Sequence, residues 1–590
     1  MLPALALLAA ATINLNQLGF RPGDPKQAIV AAPTPAPLDW QILDATGTVV
    51  LRGRTTAGTD DAVSGDRVHI ATFDTLTRPG AYRLRAAGVE SGTFQVAPTL
   101  YAPLARNALA VFYHQRAGTP IEARYVGARW ARPAGHAPEI AACFAGKDEA
   151  GTVWPGCPTK RDVTGGWYDA GDHGKYVVNA GISAWTLQNL YETGFARRLF
   201  ADGQARLPES GNGRDDLLNE ARWEVEWMLK MQVPPATRMA LPIGPQPKST
   251  PLTLTPVDAG GMAFHKVADA RWTTIPTAPA DDRQPRVLYP PSTAATLNLA
   301  AVAAQAARLW RTTDPAFAAR CLAAARQAWT AAVRNPDIRA ATAFTGSGGY
   351  GDDNLADERA WAAAELFATT GEATYRAALS DGPATVPGWA DVATLGTITL
   401  AVADGVPTKI RDNARARIVT AADGFLAEVP RSGYRIPYAS QKYDWGSNSN
   451  ILNRAVLLGL AARFTGSARY RAGAVDAADY VLGRNPLGQS FVSGTGWKPL
   501  QNPHHRFWAH QVDAALPPPP PGVLSGGPNN TAMADPVAVK LKGRCAPQRC
   551  WADDINAYAL NEMAINWNAP LVWVAAYLDA GGSAPTEKAN

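Results

Sequence analysis

Hydrophobic and polar positions follow two rhythms along this chain. Over residues 12–98 they mostly alternate one by one, as in Trp40-Gln41-Ile42-Leu43, Val68-His69-Ile70-Ala71, Tyr82-Arg83-Leu84-Arg85 and Thr93-Phe94-Gln95-Val96, with Gly, Pro or Asp close by. A period of two puts alternate side chains on one face of a strand, so the stretch predicts a small all-β sandwich. The runs at 28–31 and 48–51 are apolar throughout and fit either a strand or a buried helix. From Ala102 the apolar spacing changes to three and four. It predicts helices over 104–115, 175–193, 215–231, 293–311, 316–333, 356–369, 410–428, 449–464, 469–481 and 555–578. Gly194 and Gly371 follow two of these helices, where a left-handed cap is tolerated. So many helices without strands over 99–580 exceed a simple bundle, and a ring of paired helices would bury them in one all-α domain. The five prolines from Pro517 to Pro521 read as a stiff loop inside that domain, and 581–590 as a tail.

Composition narrows the function. Of 590 residues 46% are hydrophobic and 18% charged, and 56 Lys and Arg against 51 Asp and Glu leave a net +5. So small a surplus excludes a nucleic-acid protein held by bulk charge. No apolar run is long enough to span a membrane. The 18 Trp residues suit flat apolar faces such as those of sugar rings. Cys143 and Cys157, and Cys545 and Cys550, form two close pairs, with Cys321 alone. Two local disulfides and a buried free thiol would require an oxidising compartment; five reduced thiols are the alternative. Residues 2–11 resemble the apolar region and small-residue end of a signal peptide, although no Lys or Arg precedes them. Together these features predict a secreted or periplasmic protein.

Three segments carry candidate chemistry. In Gly165-Gly166-Trp167-Tyr168-Asp169-Ala170-Gly171-Asp172-His173-Gly174-Lys175-Tyr176, two carboxylates three apart sit in a glycine-rich turn before a predicted helix. An ionised carboxylate there would act as a general base on water; helix capping by Asp172 is the alternative. In the segment 550–570, a helix starting near Asp554 would place Tyr558 and Glu562 on one face. Met563, Ile565 and Trp567 would keep that carboxyl protonated, as a general acid requires; a solvated helix face is the alternative. Asn502-Pro503-His504-His505-Arg506 offers donors for hydroxyl groups, and no nearby Cys or His completes a zinc set. Trp445, in a loop before a helix, could stack on a sugar, with Trp272 and Trp497 as weaker candidates.

In this order the three segments resemble the signatures of family 9 glycoside hydrolases. Asp169-Ala170-Gly171-Asp172 matches the base motif, and 490–498 followed by Pro503-His504-His505-Arg506 matches the histidine signature. Trp551 through Ala569, with Asp553, Tyr558, Glu562 and Asn568, matches the third. The segments 209–213, 289–296 and 480–486 are also family-like. The opening Asn14-Leu15-Asn16-Gln17-Leu18-Gly19-Phe20 resembles the immunoglobulin-like module that precedes the catalytic domain in one branch. The resemblance implies an immunoglobulin-like β-sandwich at 12–98, an (α/α)6 barrel over 99–580 and inverting hydrolysis of β-1,4-glucosidic bonds in β-glucans and cellodextrins. It implies Asp172 as general base, Glu562 as general acid and Asp169 as holder of the attacking water, with His504 and Asp553 also in the catalytic set. His504, His505, Arg506, Tyr558 and Trp445 would contact sugar, and inversion needs the two carboxyls about 6.5–9.5 Å apart. A monomer is expected.

Departures from the pattern matter. Relatives in this branch often carry a structural zinc on two Cys and two His; here those positions are Ala117, Cys143-Phe144 and Tyr168, so no zinc is expected, and a Cys143–Cys157 disulfide would fasten the loop instead. Asp357 and Glu358 match an acidic pair that holds calcium in family members; a charge pair at a helix start is the alternative. The insertion-like stretch 121–136 would wall off one end of the cleft, favouring an exo-acting cellodextrinase or β-glucosidase. With no carbohydrate-binding module visible after 580, weak action on crystalline cellulose is expected. A catalytically silent carbohydrate-binding protein is the rival of a different class; the intact Asp169, Asp172 and Glu562 speak against it.

Overall fold

The computed structural model describes residues 11–581. The leader-like segment 2–11 and the tail 581–590 lie, but for their innermost residue, outside the described residues. Ten short strands build the N-terminal module: β1 Thr12–Asn14, β2 Gly19–Phe20, β3 Gln27–Ala31, β4 Asp39–Asp44, β5 Val49–Arg54, β6 Thr59–Asp61, β7 Asp66–Thr72, β8 Gly80–Ala86, β9 Val89–Glu90 and β10 Phe94–Val96. They form two sheets, β1-β3-β7-β6 and β2-β10-β8-β4-β5, with β9 on β8. The apolar run at 28–31 falls in β3, which lies between β1 and β7 and is buried along nearly its whole length. The run at 48–51 contributes to β5, a sheet-edge strand whose exposure alternates. Phe20 sits edge-on to Phe73 and Phe94 at 5.3 and 5.5 Å in the core between the sheets.

Among the described residues, eleven helices of at least ten residues follow: α1 Ala102–Gln115, α2 Val177–Thr193, α3 Asp216–Lys230, α4 Thr293–Leu309, α5 Pro315–Arg334, α6 Ala356–Thr370, α7 Ala393–Val402, α8 Thr408–Glu428, α9 Ser447–Thr465, α10 Ala468–Val481 and α11 Ile565–Asp579. α2, α4, α6 and α7 pack successively, and α9 packs on α11, which returns to α2; α8 bridges α7 and α9. α1, α3, α5 and α10 lie against this ring. α4 is buried on nearly every side, consistent with its Ala- and Leu-rich sequence, whereas α8 buries only Ala414, Ile418, Ala422 and Phe425. Gly194 and Gly371 both adopt the left-handed cap.

The helical part is not free of strands, which corrects the expectation. β11 Ile140–Cys143, β12 Arg161–Asp162, β13 Lys175–Tyr176, β14 Lys266–Asp269 and β15 Arg286–Leu288 form a sheet in the order β12-β11-β15-β14-β13. Strands of two to four residues are too short to leave a periodic signal. β13 occupies the start of the helix predicted at 175, and α2 begins two residues later. α7 was not predicted: Thr394, Thr397, Ile398, Thr399 and Val402 are β-branched and lower helix propensity.

Ion pairs and hydrogen bonds join the two parts. Arg549 meets Asp66 at 2.7 Å, Arg471 meets Asp24 at 2.8 Å, and Asn16 donates to buried Asp479 at 2.8 Å. Trp497, a candidate sugar platform, belongs to this junction: its backbone N–H donates to Gln17, and its ring lies where a Cβ on Gly92 would be.

Candidate active site

The sheet and α2 position the first acidic segment. β13 pairs with β14 and leads directly into α2, and the turn ahead of it closes through the Asp169 N–H to the Gly174 carbonyl at 2.9 Å. Its carbonyls then reach the other two candidate segments: Asp169 accepts from Ile565 N–H at 2.8 Å and Gly171 from Arg506 N–H at 3.0 Å. A Cβ on Gly171 would come within 2.3 Å of the His504 carbonyl, so only glycine allows this approach. His504 also donates its N–H to the Asn561 carbonyl and forms a β-bridge with Glu562. Segments nearly 400 residues apart in sequence therefore share one site.

Asp172 does not cap α2, whose first turn has no side-chain cap. Its oxygens accept from the Gly174 N–H and the Tyr176 hydroxyl, each at 3.2 Å, and the residue keeps 8% exposure, enough to touch solvent. Asp169 is deeper: Asn179 and Tyr350 donate to its two oxygens at 2.8 and 2.7 Å. Burial pushes its carboxyl up to about 7 against those hydrogen bonds.

The predicted helix over 555–578 is corrected to α11 alone. Glu562 stands just past a single helical turn, Tyr558–Asn561, in extended backbone, so Tyr558 and Glu562 do not share a helix face. The surroundings claim the local backbone: the Glu562 carbonyl accepts from Gly526 N–H, and the Asn561 carbonyl from His504 N–H. These bonds replace an intrahelical ladder. Burial, then the charges of Asp172 and Asp169, push the Glu562 carboxyl well above the usual range. Burial, the cause expected from sequence, thus favours the protonated form, with the Asp172 charge as an added contributor.

Other candidates divide into those at the opening and those behind it. His504 directs Nδ1 at the Ile555 carbonyl, 2.6 Å away, and burial lowers its pKa to about 4, keeping the ring neutral. Its ring meets Tyr558 at 5.6 Å, and Tyr558 meets Trp445, which is 40% exposed, at 5.8 Å. Arg506 is held by Thr273 and lies over Trp272, which is 49% exposed, at 5.7 Å. Two expectations are corrected. His505 does not face substrate: it stacks on Trp508 at 3.9 Å, Nδ1 accepts from the N–H groups of Phe507 and Trp508, and Nε2 meets Gln115. Asp553, expected in the catalytic set, has both oxygens engaged, accepting from Gln501 N–H, Asn502 N–H and the Asn561 amide, and so braces the chain before His504.

Sequence reasoning missed Tyr350 and Tyr176 as partners of the two aspartates. Tyr350 sits in a glycine-rich loop with φ 46°, and Tyr176 also accepts from Gly348 N–H at 2.8 Å. The loop's Gly-Ser-Gly-Gly-Tyr-Gly composition was the available signal.

That loop continues into a second acidic cluster. Asp352, Asp357 and Glu358 are buried, with ligand atoms within 4.8 Å of one another. Both Glu358 oxygens, one Asp357 oxygen and one Asp352 oxygen have no hydrogen-bond partner among the described residues. Burial, then the neighbouring carboxylates, push Glu358 up to about 10, and burial pushes Asp352 up to about 6. Unpartnered carboxylate oxygens at such a point fit a hard, oxygen-seeking cation such as calcium. Asp352 is a ligand candidate that sequence reasoning did not identify.

Cys143 is joined to Cys157 and Cys545 to Cys550, while Cys321 is a buried free thiol. With Cys143 so engaged and Ala117, Phe144 and Tyr168 at the other positions, the residues do not fit the two-Cys, two-His zinc set.

A carboxyl kept protonated near a solvent-touching carboxylate, beside exposed aromatic rings, is the equipment of a glycoside hydrolase. Comparison with known proteins identifies the family. Residues 101–575 match the profile described as Glycosyl hydrolase family 9, and residues 9–91 match Cellulase N-terminal ig-like domain. The chain belongs to glycosyl hydrolase family 9. It is 41% identical over 98% of its length to a cellulose 1,4-beta-cellobiosidase of Acetivibrio thermocellus, covering 68% of that protein. It is 40% identical over 97% of its length to endoglucanase C of Cellulomonas fimi and spans only 52%, about half, of that relative. A crystal structure of a metagenome-derived family 9 endoglucanase superimposes with a TM-score of 0.83 at 34% identity, covering 97% of this chain and all of that one.

Proposed function

We propose that this protein hydrolyses β-1,4-glucosidic bonds in soluble β-glucans and cellodextrins with inversion, as an endoglucanase. One observation carries the reading: backbone bonds from His504, Arg506 and Ile565 tie the segments bearing Asp172 and Glu562 into one site, and burial together with the Asp172 charge pushes the Glu562 carboxyl well above its ordinary range. In the reaction, Asp172 takes a proton from water as the water oxygen bonds to the anomeric carbon. Glu562 gives its proton to the departing glycosidic oxygen as the old bond breaks, so one water is consumed. Asp169, tied to Tyr350 and Asn179, steadies the base turn and the water. His504 Nε2, Arg506 and Tyr558 bind the sugar beside the scissile bond, and Trp445 supplies a stacking face. The helical ring is read as the (α/α)6 barrel of this family.

Asp352, Asp357 and Glu358 would hold calcium, whose charge would satisfy the unpartnered oxygens and fix the loop carrying Tyr350. The two disulfides support action in an oxidising compartment, and the protein is read as a secreted or periplasmic monomer. Proton NMR of the first product tests the stereochemistry: the α-anomer from a β-linked substrate is expected, and initial β-anomer overturns inversion. In the same digest, a viscosity drop ahead of reducing-sugar release supports internal cleavage. Release of one small sugar from one end of labelled cellopentaose would instead establish the exo-acting reading. The stretch 121–136 is the feature behind that second reading, and Trp130 within it donates to the Pro518 carbonyl of the proline run at 2.8 Å.

A further inference from the structure

Two histidines and an aspartate outside the proposed acid–base pair converge behind the base turn. His136 lies on the loop before β11, His173 follows Asp172 directly, and Asp282 lies on the loop before β15. One ligand atom from each falls within 4.8 Å of the others. Asp282 Oδ1 accepts from the Gln284 N–H at 2.9 Å, which leaves Oδ2 facing both rings. Oδ2 lies 2.6 Å from His173 Nδ1 and 3.6 Å from His136 Nε2. The side chains of His136, His173 and Asp282 are 6%, 2% and 0% exposed. His136 Nε2 has no hydrogen-bond partner among the described residues, although it is buried and points into the cluster.

We propose that His136, His173 and Asp282 form a binding site for one divalent cation of the zinc class. Two imidazole nitrogens and one carboxylate oxygen form a three-ligand set of the kind that zinc and related transition ions take, unlike the all-oxygen set at Asp352, Asp357 and Glu358. The site is also distinct from the thiolate set assessed above, since it uses none of those four positions. The cluster has an outer shell as well. His136 Nδ1 meets the Tyr168 hydroxyl at 2.6 Å, which fixes the ring so that Nε2 faces Asp282. The nearby Arg286 is already paired with Glu139 and Asp269. Burial lowers both imidazoles, His136 to about 4, so both are neutral ligands at pH 7. Although burial opposes it, the two imidazoles beside it, His173 through a direct hydrogen bond, keep Asp282 below the ordinary range. Binding requires the His173–Asp282 pair to open from a direct hydrogen bond to about 3.3 Å, the spacing of two tetrahedral ligands at about 2.0 Å from zinc. The ion would cross-link the loops before β11 and β15 to the residue adjoining the base.

The test uses the full chain, stripped with 1,10-phenanthroline and titrated with Zn2+ by calorimetry while excess calcium occupies the carboxylate cluster. One equivalent is expected, with binding at least tenfold weaker in both His136→Ala and Asp282→Asn. Tyr168→Phe is expected to weaken it by about tenfold through the outer shell. X-ray absorption of the zinc-loaded protein should show two imidazoles with oxygen and no sulfur. No saturable binding to the wild type, unchanged affinity in folded His136→Ala and Asp282→Asn, or a shell lacking imidazole overturns the proposal. If either variant fails to fold by circular dichroism, the wild-type absorption spectrum decides: two imidazoles sustain the site, and their absence removes it.

Discussion

Two clusters of three acids lie at the two ends of one glycine-rich loop and differ in what surrounds their oxygens. At Asp169, Asp172 and Glu562, hydroxyl, amide and backbone donors meet the two aspartates, and Arg506 lies near the glutamate. At Asp352, Asp357 and Glu358, several oxygens meet no donor at all. Burial raises the carboxyl pKa of Asp169 and Glu562 in the first cluster and of all three acids in the second. A raised pKa therefore does not distinguish an acid–base site from a cation cage. The partners do: directed donors and an open edge suit proton transfer, whereas bare oxygens suit a cation.

The largest effect should come from removing the base. Asp172→Asn keeps the shape of the turn but cannot accept a proton from water, so kcat on cellopentaose should fall by about 10²–10⁴-fold with KM little changed. Unaltered kcat would assign the base role elsewhere. Next, Tyr350→Phe removes one donor from Asp169 without opening a cavity. It is expected to lower kcat about tenfold, by roughly the worth of a hydrogen bond to a charged group, while leaving KM near wild type. A change in KM alone would place Tyr350 in substrate binding instead.

The second cluster is tested by pH and calcium together. A folded-state carboxyl raised above its unfolded value favours the fold at low pH, and that contribution is lost as pH rises toward the folded value. Glu358, at about 10, and Asp352, at about 6, should therefore make the calcium-free melting temperature decline from about pH 5 to about pH 9. Calcium replaces those protons, so the rise it produces should be a few degrees and grow with pH. A melting temperature indifferent to both EDTA and calcium across that range would remove the cage. The smallest effect is expected from Trp445→Ala: loss of one stacking face should raise KM on cello-oligosaccharides by about two- to tenfold, with kcat nearly unchanged.

The two clusters also differ in how far sequence revealed them. The segments holding Asp172 and Glu562 stand out in the sequence because their motifs are local and chemically dense, and the β-sandwich and most helices are legible through their periods. The setting of Glu562 was not: its segment has helical spacing, but tertiary bonds from Gly526 and His504 claim its backbone and end the helix early. His505 and Asp553 carry the same donors and acceptors whether they face a sugar or brace a loop, so composition alone could not separate the roles. Tyr350 and Asp352 were hidden for another reason. Tyr350 lies 181 residues along the chain from Asp169, whereas Asp352 stands close before Asp357 and Glu358 but in an irregular loop with no periodic signal, and only the fold turns its oxygen toward theirs.

The proposed transfer of a proton from Glu562 to the leaving oxygen is open to direct measurement. The direct measurement compares Glu562→Gln on cellopentaose and on 2,4-dinitrophenyl β-cellobioside, whose leaving group needs no proton. A loss of at least about 10³-fold is expected on cellopentaose and a far smaller loss on the activated glycoside. Equal losses on both substrates, or full activity on cellopentaose, would contradict it.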